Sequence, residues 1–222
     1  MLPSTRGSSI WEVDDVMAQV LHIDPEHLRM RPIQQAVEVL SNGGVIVYPT
    51  DTVYGLGCDI TSKSAVERIQ RIKGRDSKKP MSFVCADLTD IAHYAQVSNF
   101  AYKIMRRLLP GAYTFVLPAT KETPKLLRSR QKTVGIRIPD HPVSTALVSQ
   151  LGWPLLSTSA NRSDQDAITN PFQLEEELGN EVDLILECGD LPVLPSSVVS
   201  LIGDEIEILR EGSGDLAMLR EP

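Results

Sequence analysis

The apolar positions of this chain change their spacing several times, and each change marks an element. Ile33, Ala36, Val37 and Leu40 form one stripe at helical spacing. Pro32 suits the first turn of that helix, and Asn42-Gly43-Gly44 supplies its stop. Val45 to Tyr48 then runs without polar alternation, the pattern of a strand buried on both faces. The helical stripe returns in Ala65, Val66, Ile69 and Ile72, and again in "NFAYKIMRRLLPG", which Pro110-Gly111 ends. "VSTALVSQLG" and the acidic "PFQLEEELGNEV" complete the predicted helices. "VLHI", "MSFVCA", "YTFVLPAT", "TVGIRIP", "PLLSTSA", "DLILECGD", "SSVVSLIG" and "EIEILREG" read as strands. This succession predicts one mixed α/β domain over residues 28–215. Residues 1–27 read as an N-terminal arm, with one short helix near Trp11 to Met17.

Composition narrows the class. The chain has 222 residues, enough for one sizeable core, and its aromatic content of 5% makes that core aliphatic. No apolar run approaches the ~18 residues of a membrane span. Five acids in the first 30 residues leave no room for the apolar heart of a secretory signal. Cys58, Cys85 and Cys188 are widely spaced and odd in number, so free thiols and a cytoplasmic location are expected. The net charge of −7 hides an asymmetry: residues 61–132 carry 15 basic and 5 acidic residues, and the rest of the chain is correspondingly acidic. A basic middle third predicts either an anionic ligand there or a solvated basic face.

Three predicted strands leave their apolar runs in the same way. Val45–Tyr48 opens into "PTDT", Val134–Ile138 into "PDHP", and Leu155–Leu156 into "STSAN". Ligands of open α/β sheets sit beyond strand ends, where hydroxyls and backbone N–H groups converge. The same Ser and Thr residues also suit helix caps and turns. Gly55 and Gly57 would let a ligand or neighbouring backbone approach closely. Lys73 and Arg75 end a helix, as a point charge and a planar fork suited to polyphosphate, or simply as complements to the helix dipole. There is no GxxxxGK[ST], no GxGxxG and no GxSxG. His22, His27, His93 and His141 lie at no metal-ligand spacing, and no protein-bound metal is expected. A Ser157 or Ser159 nucleophile with His141 as base is the remaining hydrolytic reading.

Taken together, "YPTDTVYGLGCD", "KGR", "PGAYTFVL", "VGIRIPDHP", "STSAN", "SSVV" and "ILREG" resemble, in order, the YrdC-like family of threonylcarbamoyl-AMP synthases. The likeness runs from Leu28 to Gly212, and it includes the family's KxR and SxN pairs as Lys73-Gly74-Arg75 and Ser159-Ala160-Asn161. It implies a twisted mixed sheet with flanking helices and a concave basic face. It implies a reaction in which ATP, L-threonine and bicarbonate give threonylcarbamoyl-adenylate and pyrophosphate, the donor for threonylcarbamoyl modification of adenosine 37 in tRNA. By the resemblance, Lys73 and Arg75 are catalytic and, with Thr114, Ser159, Asn161 and Arg210, hold ATP and the Mg²⁺ it carries. Thr50, Arg137, Ser157 and Ser196 would surround threonine. Expected partners are these three substrates, RNA, and the proteins of the transfer step, with no membrane.

The sequence also departs from the family pattern. Asp76 stands where the family often has proline, Ala112 replaces a proline, and "MSFVCA" has no histidine where some members carry one. "YTFVL", "QKTVGIRIP" and "HIDPEHL" resemble a sister YciO-like branch. Its better-known members lack the KxR and SxN pairs. The alternatives are a nucleotide- or RNA-binding protein without synthase activity, and a lone carbamoyl-transfer domain.

Overall fold

The computed structural model describes residues 17–74, 81–163 and 165–219. Ten strands form one mixed sheet in these residues: β1 (Gln19–His22), β2 (Val45–Tyr48), β3 (Gly55–Asp59), β4 (Ser82–Val84), β5 (Tyr113–Pro118), β6 (Thr133–Arg137), β7 (Leu155–Ser159), β8 (Leu184–Glu187), β9 (Ser197–Ser200) and β10 (Glu207–Arg210). Their order is β1-β8-β2-β3-β7-β4-β6-β5-β9-β10. The α-helices among the described residues are α1 (Met30–Ser41), α2 (Lys63–Ile72), α3 (Leu88–Tyr94), α4 (Asn99–Leu108), α5 (Pro142–Leu151) and α6 (Pro171–Leu178). This is the predicted α/β class. The expected helix near Trp11 falls outside the described residues, apart from Met17 at its end. Residues 19–22, inside the segment read as an arm, pair in parallel with β8 at the sheet edge.

The helices divide unequally between the two faces. α2, α3, α4 and α6 bury Ile69, Ile91, Met105 and Leu174 in one large core on the first face. On the second face α1 and α5 bury Ile33, Ala36, Leu40, Val143, Leu147 and Leu151 against Ile46, Tyr48, Val84, Leu155, Leu184 and Leu186 of β2, β4, β7 and β8. Strand alternation carries that second face onto Arg137 and Gly135 of β6, Thr114 of β5, and the Ser196–Val198 turn into β9. There the sequence changes from aliphatic to small and polar, and this is the stretch of sheet on which the candidate site lies.

The caps explain the helix starts. Ser62, Asp87, Ser98 and Asn170 each accept backbone N–H bonds at the first turns of α2, α3, α4 and α6. Gly43, at φ 78°, takes the left-handed conformation just past α1.

Gly55 and Gly57 are part of a strand, where the sequence suggested a loop for ligand or backbone. β3 pairs antiparallel with both β2 and β7. The missing side chains are replaced by the Tyr48 ring, which lies across β3: a Cβ at Gly55 would stand 2.9 Å from its Cε1 and Cζ, and one at Gly57 2.9 Å from Cε1. Both contacts are too close for real carbon atoms, so Gly55→Ala should displace a fully buried ring. The expected cost is about 1–3 kcal/mol, read as a lower urea midpoint with an unchanged slope.

Candidate active site

The exits of β2, β6 and β7 do not share one end of the sheet. β2 and β7 run in the same direction, and β6 runs against them. Arg137 is in register with Val84 and Leu155, at the far end of β7 from Ser159. What gathers the predicted residues is the face of the sheet: the Arg137 side chain and the 49–54 turn meet over it.

That turn is built from its own hydroxyls. Thr50 Oγ1 donates to the Val53 carbonyl at 2.6 Å and accepts from Thr52 N–H at 3.2 Å. Ser144 Oγ, at the start of α5, donates to the Pro49 carbonyl at 2.8 Å. The turn presents three acceptors to one guanidinium nitrogen: Arg137 Nη2 lies 2.5 Å from Asp51 Oδ1, 2.7 Å from Thr52 Oγ1 and 3.4 Å from Thr50 Oγ1. Arg137 is only 8% exposed. Its Nε is buried without a hydrogen-bond partner. A buried donor left unpaired costs about 1–3 kcal/mol, so this nitrogen is where a ligand acceptor would be most favoured.

Thr114, Ser196 and Arg210 form a second group. Thr114 Oγ1 and Ser196 Oγ are 2.8 Å apart, and Arg210 Nη2 donates to the Ser196 carbonyl at 2.8 Å. Burial, and then the charge of Arg137, hold the Arg210 guanidinium below its ordinary pKa. The two arginines therefore feel one another. An anion bound near either would relieve that repulsion.

Lys73, Ser159 and Asn161 form the third group, at the β7 exit. Lys73 Nζ donates to the Ser159 carbonyl at 2.9 Å and to Asn161 Oδ1. Ser159 Oγ donates to the same Oδ1 at 2.7 Å. The KxR lysine and both SxN side chains thus meet in one knot. Arg75 lies outside the described residues, as does Asp76. Ser157, two residues earlier on β7, accepts from the Tyr48 phenol at 2.7 Å.

Two contributors escaped sequence reading. Tyr48 looked like one apolar residue among four, and only the Gly55–Gly57 pair hinted at a ring between strands. Asp51 was visible in the turn, but its ion pair with Arg137 spans 86 residues. The hydrolytic reading fails on geometry. His141 Nδ1 accepts the Val143 N–H at 3.3 Å as the cap of α5. Its other ring nitrogen then carries the proton and cannot take one from serine.

The family model described as "Sua5_yciO_yrdC: Telomere recombination" matches residues 38–212. The chain belongs to the Sua5/YciO/YrdC family. It is 41% identical to the Escherichia coli protein YciO over 202 residues, covering 90% of this chain and 98% of that one. The E. coli YciO crystal structure superposes with a TM-score of 0.87, covering 91% of this chain and 99% of that one. A threonylcarbamoyl-AMP synthase of Vibrio vulnificus is 37% identical over 157 residues, 69% of this chain and 84% of the synthase. P. abyssi Sua5, solved with L-threonine, gives a TM-score of 0.82 at 27% identity, covering 87% of this chain and 57% of the longer Sua5 chain. The Sua5/YciO/YrdC family therefore includes threonylcarbamoyl-AMP synthases, while this chain matches YciO, whose name states no activity, over more of its length.

Two outcomes follow from the site's electrostatics. Asp51→Ala strands a buried guanidinium, and should cost roughly 3–5 kcal/mol in urea denaturation. Burial holds the His141 imidazole below its ordinary value of 6.5 despite the opposing pull of Asp51 and Asp140. The unfolded chain then binds the proton more tightly, so stability is lost as pH falls through the folded-state value. His141→Asn keeps a capping acceptor and should flatten that acid limb.

Proposed function

We propose that this chain is an L-threonylcarbamoyladenylate synthase, a nucleotidyltransferase that makes threonylcarbamoyl-AMP and pyrophosphate from ATP, L-threonine and bicarbonate. The observation that carries the reading is the unpartnered, buried Arg137 Nε on a floor of hydroxyls. It suits the carboxylate of a small amino acid, with Thr50, Ser157 and Ser196 around it. The family's synthases, and the L-threonine in the P. abyssi Sua5 structure, support the same assignment.

In this reading the carbamate of threonine attacks the α-phosphorus of ATP and pyrophosphate leaves. Two anions must meet, so the chain's contribution is positive charge placed before the reaction begins. Lys73 exchanges contacts at the β7 exit for phosphate oxygens, and Arg75 joins it. Thr114, Ser159, Asn161 and Arg210 orient the nucleotide. Mg²⁺ enters on the triphosphate as part of the substrate. The product would supply the threonylcarbamoyl modification of adenosine 37 in tRNA, together with the proteins of the transfer step.

A second reading is a YciO-type nucleotide- or RNA-binding protein without synthase activity, favoured by the 41% identity to YciO across 90% of the chain. One assay separates the two. The synthase releases pyrophosphate from ATP only when threonine and bicarbonate are both present, and Lys73→Ala lowers that rate about 10²–10³-fold. Pyrophosphate release that is absent, or indifferent to threonine, favours the second reading.

A further inference from the structure

We infer that Tyr48 is a positioning residue, which acts through Ser157 by fixing the direction of its hydroxyl proton toward the ligand beneath Arg137. The inference rests on the amino-acid site proposed above and assigns it a residue outside that set.

A serine hydroxyl has one proton and two lone pairs, and it normally rotates to suit its neighbours. Ser157 is denied that freedom. The Tyr48 phenol donates to its Oγ at 2.7 Å, so this oxygen is held as an acceptor on the Tyr48 side. The Ser157 proton must then point elsewhere, and among the described residues it meets no acceptor. Ser157 is 6% exposed and sits opposite Ser82 on the face that carries Arg137. Ser82 is also in register with Gly135, two residues before Arg137 on β6, so Ser157 and Arg137 belong to one stretch of the same sheet face. Two donors without an acceptor among the described residues, Ser157 Oγ–H and Arg137 Nε–H, thus lie on the same stretch of one face, and a carboxylate received there could accept from both.

The rest of the strand pair is shaped to make this contact. Tyr48 is fully buried and crosses β3 only because Gly55 and Gly57 lack side chains. A Cβ at Gly55 would also stand 3.2 Å from Ser157 Oγ, inside the same contact. A tyrosine placed for packing alone would need no hydroxyl, and phenylalanine would fill the volume.

The test is a double-mutant cycle read by calorimetric titration with L-threonine. Wild type, Tyr48→Phe, Ser157→Ala and the double variant are compared, with melting temperature and ATP affinity measured alongside. Ser157→Ala should weaken L-threonine binding about tenfold or more, as expected for a hydrogen bond to a charged group. Tyr48→Phe should weaken it in the same direction without moving ATP affinity. The double variant should match Ser157→Ala, because the tyrosine acts only through the serine. Losses that multiply in the double variant would overturn the inference. So would a Tyr48→Phe protein that melts lower yet binds L-threonine as wild type does. Wild type that binds no L-threonine would overturn the amino-acid site itself and this inference with it.

Discussion

A guanidinium buried against a sheet has to be matched in charge and in hydrogen bonds, and Arg137 is matched only in part. Its Nη2 side is closed by Asp51, Thr50 and Thr52, while its Nε faces no acceptor. Much of the local architecture serves that arrangement. The 49–54 turn is braced by its own threonine and by Ser144 of α5, so that three acceptors converge on one nitrogen. The sheet near Arg137 carries Ser82, Gly135 and Thr114 in place of the aliphatic residues found beneath α1 and α5. A Cβ at Gly135 would already press on Thr114 and Ser82 at 3.3–3.4 Å. A partly satisfied buried cation is unfavourable in the free protein, and binding an anion recovers that free energy.

The polar floor also accounts for the uneven helix layers. The first face is sealed by four helices over one continuous core. The second is sealed by two, and the polar stretch begins beyond the strands they cover. Each of the three groups around that stretch contributes one cation. Lys73 stands at the β7 exit, Arg137 in the middle, and Arg210 near the β10 edge. Asp51 is the acid that pairs with Arg137 among the described residues. The YciO and Sua5 structures share this framework.

Periodicity carried the fold a long way. α1, α2, α4 and α5 each show a stripe that one face of the core uses, and β2 is buried on both faces as its unbroken apolar run implies. β3 was hidden because "GLGCD" has glycine where a strand usually has a β-branched residue, and the reason lies in a ring contributed by the neighbouring strand. α3 has seven residues and a single buried anchor, Ile91, too little for a stripe. For the site, ordered motifs pointed to hydroxyls and to the lysine because each motif is a short local segment: the 49–54 turn, the end of α2 and the end of β7. They could not reveal which side chains meet. The Asp51–Arg137 pair and the Tyr48–Ser157 bond join residues 86 and 109 positions apart.

The most direct test of the central claim is a crystal structure grown with L-threonine. The account predicts the amino acid on the second face, its carboxylate accepting from Arg137 Nε within about 2.7–3.2 Å, with the Asp51 contact to Nη2 retained. L-Threonine bound away from Arg137, or an Nε satisfied by an acceptor of the chain itself, would contradict it.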